Sequence, residues 1–137
     1  MTQTAPTIAV WFSCGAASAV AAKLTLSRYG ETHRVRVVNN PVAEEDEDNR
    51  RFLRDVEKWL GVPVEIAIND RFPDASAETV WAKRRFMSGP HGAPCTIELK
   101  KVARQQWEAI NKPDWHVLGF TYDEKDRHER FIRSERE

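Results

Sequence analysis

The chain has 137 residues, 41% hydrophobic and 31% charged, with a formal net charge of +0 at pH 7. That length predicts a single domain over residues 1–137 with room for a core, and the balanced charge argues against a generic polyanion binder. No apolar run approaches the ~20 residues of a membrane span. The start, Met1 to Pro6, lacks the basic and apolar segments of a signal peptide. Two cysteines far apart, Cys14 and Cys95, fit a reducing compartment better than a disulfide scaffold. A cytoplasmic protein is expected, with no membrane partner.

Thr7 to Phe12 is an unbroken apolar run, which predicts a strand buried on both faces, as in a parallel sheet. Ser13-Cys14-Gly15-Ala16-Ala17-Ser18 follows, a tight loop of small residues, and then an alanine-rich helix over about 16–29. The first N–H groups of that helix have no internal partner, and its dipole adds positive charge there. With small side chains around it and the hydroxyls of Ser13 and Ser18, the loop suits a phosphate. It equally suits a plain structural turn. It is neither a Walker loop nor a dinucleotide fingerprint, because it lacks Gly-Lys-Ser/Thr and two of the three fingerprint glycines.

Further along, strands are predicted at 34–38, 62–68 and 115–120. A helix over 47–60 presents Phe52, Leu53, Val56, Trp59 and Leu60 on one face, and Gly61 ends it. A shorter helix is expected over about 77–87. Another starts at Thr96 as N-cap, with Leu99, Val102, Ala103, Trp107 and Ile110 as its apolar face. The tail from Asp123 to Glu137 is charged and helix-prone. Two charge runs stand out: the acids at 44–48, and a basic stretch containing Lys83, Arg84, Arg85, Lys100, Lys101 and Arg104. The acids read as solvated surface or as a ribose or metal site. The basic stretch reads as solvated surface or as a site for phosphate, sulfate or an RNA backbone.

Alternating strands and helices predict an open parallel sheet covered by helices on both faces, in the order 3-2-1-4. The ligand crevice of such a sheet lies beyond the carboxyl ends of the strands, where the order switches. Ser13–Ser18, Asn39–Asp48 and Gly119–Glu124 all point to that crevice.

Within this frame four segments resemble the PP-loop superfamily of adenine-nucleotide α-hydrolase proteins, and its phage-type phosphoadenosine phosphosulfate (PAPS) reductase-like branch. They are Phe12 to Ser18, Glu45 to Asp55, Cys95-Thr96-x-x-Leu99-Lys100, and Gly119-Phe120-x-x-Asp123-Glu124-x-x-Arg127. Cys14 stands where the family has glycine, and Ala17 where it has an acid. The resemblance implies a Rossmann-like α/β/α sandwich that binds ATP or PAPS and catalyses adenylyl or sulfuryl transfer in the cytoplasm of a bacterium or a phage-infected host. It implies nucleotide binding by Ser13, Cys14, Gly15, Ala16, Ala17, Ser18, Asn39 and Gly119. Lys100 and Arg127 would contact phosphate or sulfate, and Glu124 would orient Arg127 or bind Mg2+ bridging phosphates. The reductases carry their nucleophilic cysteine in a C-terminal tail, and no counterpart is expected within these residues.

Cys95 follows Gly-Ala-Pro at a helix start, with Lys100 and Lys101 a turn on. Both features favour thiolate and suit a nucleophile or sulfur carrier; a small buried residue is the other reading. His91 beside it makes only two ligands, too few for a metal site. The implied partners are the nucleotide, a sulfur donor or thiol reductant, or an RNA substrate, with room for a homodimer. The alternative is a non-catalytic nucleotide-binding or protein/RNA-interaction module that has kept only the fold.

Overall fold

A computed structural model describes residues 5–89 and 92–136, leaving aside the side chains of Tyr122, Glu135 and Arg136. The expectations for Met1 to Thr4, His91 and Glu137 lie outside the described residues. Four strands form one sheet in the order β3-β2-β1-β4, every neighbouring pair parallel. They are β1 (Thr7–Trp11), β2 (Arg34–Asn39), β3 (Val64–Ile66) and β4 (Trp115–Leu118). The register places Ala9 between Arg36 and His116, and Trp11 between Val38 and Leu118. This is the expected Rossmann-like α/β architecture.

β1 is buried on both faces because helices cover both. Ile8, Val10 and Phe12 pack with Ala19 and Ala22 of α1 (Ala16–Tyr29) and with Val56 and Leu60 of α2 (Glu47–Leu60). Ala9 and Trp11 point the other way and meet Val38, Ala67 and Trp107 of α5 (Ala103–Asn111). Each large apolar side chain buried this way contributes roughly 1.5–3 kcal/mol. A third cluster, Phe72, Ala77, Val80 and Leu99, lies under α3 (Ala77–Arg84), away from the two faces of β1.

The helix ends follow from local chemistry. Asp46 caps α2 by accepting from Asp48 N at 2.9 Å, and Gly61 closes it in the left-handed region at φ 75°. Ser76 caps α3. That helix stops at Arg84, before the expected 87, because Arg85 takes the left-handed region. β3 is shorter than the expected 62–68. Pro63 cannot donate to a ladder, and only the Ala67 N–H to Asn39 O bond continues past Ile66.

The fourth helical region begins earlier than expected. α4 (Pro94–Thr96) has Ala93 as N-cap and proline at its first position, where a missing N–H costs nothing. Thr96 therefore lies inside the helix and caps nothing. A π-helical segment (Ile97–Val102) joins α4 to α5, and the backbone stays right-handed helical throughout. Leu99, Ala103 and Trp107 are buried as expected, but Ile110 is 81% exposed, beyond the end of that stripe. Trp59, also placed on an apolar face, is half exposed beneath the Lys23 ammonium, 5.0 Å from its ring. After β4 a short 3-10 turn (Tyr122–Glu124) leads into α6 (Lys125–Arg136). No helix among the described residues is long and apolar enough to cross a membrane.

Candidate functional site

A cavity of about 490 Å³ opens at the carboxyl ends of β1 and β4, with all of the predicted loop except Cys14 in its wall. α1 starts there with Gly15 as an N-cap that brings no side chain to its N–H groups, and with no acid in the first turn. Those donors are left for a ligand. Ser18 shapes the loop: its buried hydroxyl accepts from Ser13 N at 3.1 Å and from Ser13 Oγ at 3.2 Å, and donates to Gly15 O at 3.0 Å. Its expected role as a ligand donor is thus taken up inside the loop, and the Ser13 hydroxyl, also at the wall, gives its proton to Ser18.

Gly119 is required at the opposite wall. A Cβ there would lie 2.5 Å from Ser18 Cα and 2.6 Å from Ala17 C and O, so only glycine lets β4 end this close to the loop.

Cys14 takes φ 62°, a region that costs a non-glycine residue about 1–2 kcal/mol. Its side chain packs against the core and lines a second groove of about 330 Å³ with Pro41 and Leu53. Burial first, then the Glu45 carboxylate, push its thiol pKa up. Asn39 donates from Nδ2 to Phe12 O at 2.8 Å and to Cys14 Sγ at 3.6 Å, and it borders both cavities.

The cationic wall comes from the π segment and α5. Lys100, Lys101 and Arg104 line the cavity, joined by Arg127 from α6. Two carboxylates face them. Glu45 lies 3.6 Å from Lys100 Nζ and accepts from Asn49 at 3.3 Å. Glu124 accepts from Thr121 N at 3.1 Å, Thr121 Oγ1 at 3.0 Å and Arg127 Nη1 at 2.9 Å; these contacts, the Thr121 N–H first, hold its pKa below the ordinary value. Four cations and two carboxylates line the cavity, and Glu108, outside the lining, lies 3.4 Å from Arg104 Nε, which leaves a smaller positive excess. Trp11, Phe120 and Phe131 supply aromatic wall, and the Arg104 guanidinium lies 5.2 Å from the Phe131 ring.

The charge runs divide by task. Glu44 accepts from Ala77 N at 2.8 Å and from Ser76 Oγ, so it closes the start of α3, and Asp46 does the same for α2. Asp48 pairs with Arg51. Of the acidic run, Glu45 and Asp46 border the smaller groove, and Glu45 alone reaches the main cavity. In the basic stretch, Lys83 lies over Phe72 and Arg84 pairs with Glu98, both apart from the cavity.

The structure thus brings Ser13, Gly15, Ala16, Ala17, Ser18, Asn39, Lys100, Gly119, Glu124 and Arg127 to one cavity. Cys95 lies outside its lining: its side chain packs with the Phe72 and Leu99 cluster, while Thr96 beside it faces the cavity. Sequence reasoning missed Trp11 and Phe131 as wall residues and named Lys101 and Arg104 only as members of the basic stretch. The spacing of four between Thr96, Lys100 and Arg104, and between Arg127 and Phe131, was the available signal.

Among the described residues no three or more His, Cys, Asp or Glu are grouped to hold a metal ion, and both cavity carboxylates are engaged by cations and donors.

No family model matches the chain, and no curated protein matches it. Among solved structures, it is similar to protein Rv1636 from Mycobacterium tuberculosis H37Rv, at 12% identity and a TM-score of 0.50, covering 88% of this chain and 75% of that one. At that identity the likeness establishes the shared α/β fold.

Proposed function

We propose that the cavity binds an adenine nucleotide, PAPS or ATP, and that the protein is a PAPS reductase- or sulfurtransferase-type member of the PP-loop group. One observation carries this reading: the uncapped start of α1 and the side chains of Lys100, Lys101, Arg104 and Arg127 converge on one cavity at the switch point of the sheet. Glu45 and Glu124 are already paired with Lys100 and Arg127, which favours PAPS, whose phosphate and sulfate can be held by these cations without a metal, over magnesium-bound ATP.

In this reading the α1 N–H groups hold one anionic group. Lys100, Lys101 and Arg104 face another, and Arg127, fixed by Glu124, completes the charge. Preorganised donors of this kind stabilise charge that develops on the leaving phosphate. A thiol attacks the sulfur of the sulfo group, the bond from sulfur to the bridging phosphate oxygen breaks, and adenosine 3′,5′-bisphosphate leaves. With Cys95 outside the lining, the thiol comes from a reductant partner. The setting is the cytoplasm of a bacterium or phage-infected host.

A second reading is a nucleotide-binding module without catalysis. Ala17 in place of the loop acid and the position of Cys95 favour it.

Thermal melts with PAPS, adenosine 3′,5′-bisphosphate, AMP and ATP with magnesium test the binding. A ligand at about 100 times its Kd adds roughly 2.7 kcal/mol. A selective shift, followed by turnover of PAPS with a thiol, supports the enzyme. A shift without turnover supports the module. No shift at millimolar concentration rejects both.

A further inference from the structure

The helical rod over 94–111 is not wound uniformly. Its middle, Ile97–Val102, takes the wider π turn. Such turns are rare and recur at functional sites. A side chain inserted into the hydrogen-bond ladder is one of the few causes of irregular winding, and here that side chain is Asn69. Its Nδ2 donates to the Glu98 carbonyl at 3.0 Å and to Glu98 Oε2 at 3.0 Å. Its Oδ1 accepts from Gln106 Nε2 at 3.0 Å and from Arg71 N at 3.0 Å. Asn69 is fully buried, and it grips the rod at the start of the π segment and again in α5. The Glu98 carboxylate is also held by Arg84 Nη1 at 2.6 Å.

The π segment carries Lys100 and Lys101 and leads directly to Arg104, three of the four cations of the cavity. Rewinding these residues as α-helix turns one flank against the other by about one residue, roughly 100°. The three cations stay neighbours on one face in either winding, so with the Glu98 and Leu99 end held in place they swing together away from the wall.

We propose that Asn69 is a positioning residue: it holds the rod in its π winding and so aims Lys100, Lys101 and Arg104 at a single anionic ligand. This rests on the nucleotide reading of the cavity. Asn69 itself does not line the cavity.

The test uses Asn69→Ala and Asn69→Ser in the full chain, with adenosine 3′,5′-bisphosphate as probe and wild-type binding measured first. Asn69→Ser keeps a small neutral polar group at the buried site and is too short to keep both N–H bonds to Glu98; it carries the test if Asn69→Ala does not fold. Backbone chemical shifts over 97–103 report the winding without ligand. The expected result is loss of the π pattern in a folded protein, about tenfold weaker binding, and a shallower dependence of affinity on salt as cations leave the site. A π pattern that survives the substitution overturns the positioning role. So does an unchanged affinity and salt dependence after it has gone. Wild-type protein that binds no nucleotide overturns the reading of the cavity and this proposal with it.

Discussion

Lys100 Nζ lies 3.6 Å from Glu45 Oε1, joining the acidic run to the basic stretch across the mouth of the cavity. Neither run gives this pairing by itself; the fold makes it by setting the loop after β2 beside the π segment. Both side chains are partly exposed, so the pair itself contributes about 0–1 kcal/mol to stability. Its larger effect is on the charge offered to a ligand. Glu45→Gln should therefore tighten anion binding a few-fold while moving the urea midpoint little. Isothermal titration with adenosine 3′,5′-bisphosphate checks the first part, and weaker binding would go against the assignment of Glu45 as a competing charge.

Gly119→Ala should lower stability by roughly 1–3 kcal/mol, the usual cost of overpacking. The obstructing atoms are the backbone of Ala17 and Ser18, which cannot rotate aside. The loop must move to make room, so nucleotide affinity should fall as well. Urea melts and titrations measure the two effects. An alanine variant as stable as wild type would mean that β4 and the loop are not in the contact described.

Cys14 is a protonated thiol at neutral pH, because burial and Glu45 push its pKa up. It should alkylate with iodoacetamide more slowly in the folded protein than in urea at pH 8. The linkage sign follows from the raised value. Stability from this group is full below the unfolded thiol pKa and is lost as pH rises through the folded one. Cys14→Ala should remove that alkaline loss. Cys14→Gly should offset part of the lost packing by relieving the φ 62° backbone. Faster alkylation in the folded state would show a thiolate and contradict the burial argument.

Glu124 behaves in the opposite sense. The Thr121 N–H and hydroxyl, then Arg127, lower its pKa from an ordinary value of 4.5. Its contribution is present above the unfolded value and is lost as pH falls through the lower folded one. Melting temperatures followed downward from pH 5 should fall less steeply in Glu124→Gln than in wild type. Parallel curves for the two proteins would count against the capping turn. In neutral buffer the same variant should weaken nucleotide binding, because Arg127 loses its partner.

The parallel sheet and its order were legible because β1 reads as apolar on both faces, and because Gly15, Gly61 and the alanine-rich start of α1 mark element ends clearly. The loop from Ser13 to Ser18 and Gly119 were legible as site elements for the same reason, since topology alone carries them to the switch point. The role of Ser18 was not, because a hydroxyl gives no sign in sequence of whether it faces a ligand or a neighbouring serine. Phe131 escaped because it lies on a charged, helix-prone tail whose spacing alone does not announce packing against the cavity. Cys95 pointed to chemistry through its motif, but the register of its helix turns the thiol toward Phe72 and Leu99.

The central claim is that the cavity at the ends of β1 and β4 is an anion site for an adenine nucleotide held without a metal. Calorimetric titration of adenosine 3′,5′-bisphosphate, once with a chelator and once with magnesium, tests it most directly, on wild type and on the Lys100→Ala/Lys101→Ala variant. The expected result is one bound nucleotide per chain, equal affinity in both buffers, and a loss of about tenfold or more in the variant. No binding at millimolar nucleotide, binding only with magnesium, or full affinity in the lysine variant would contradict it.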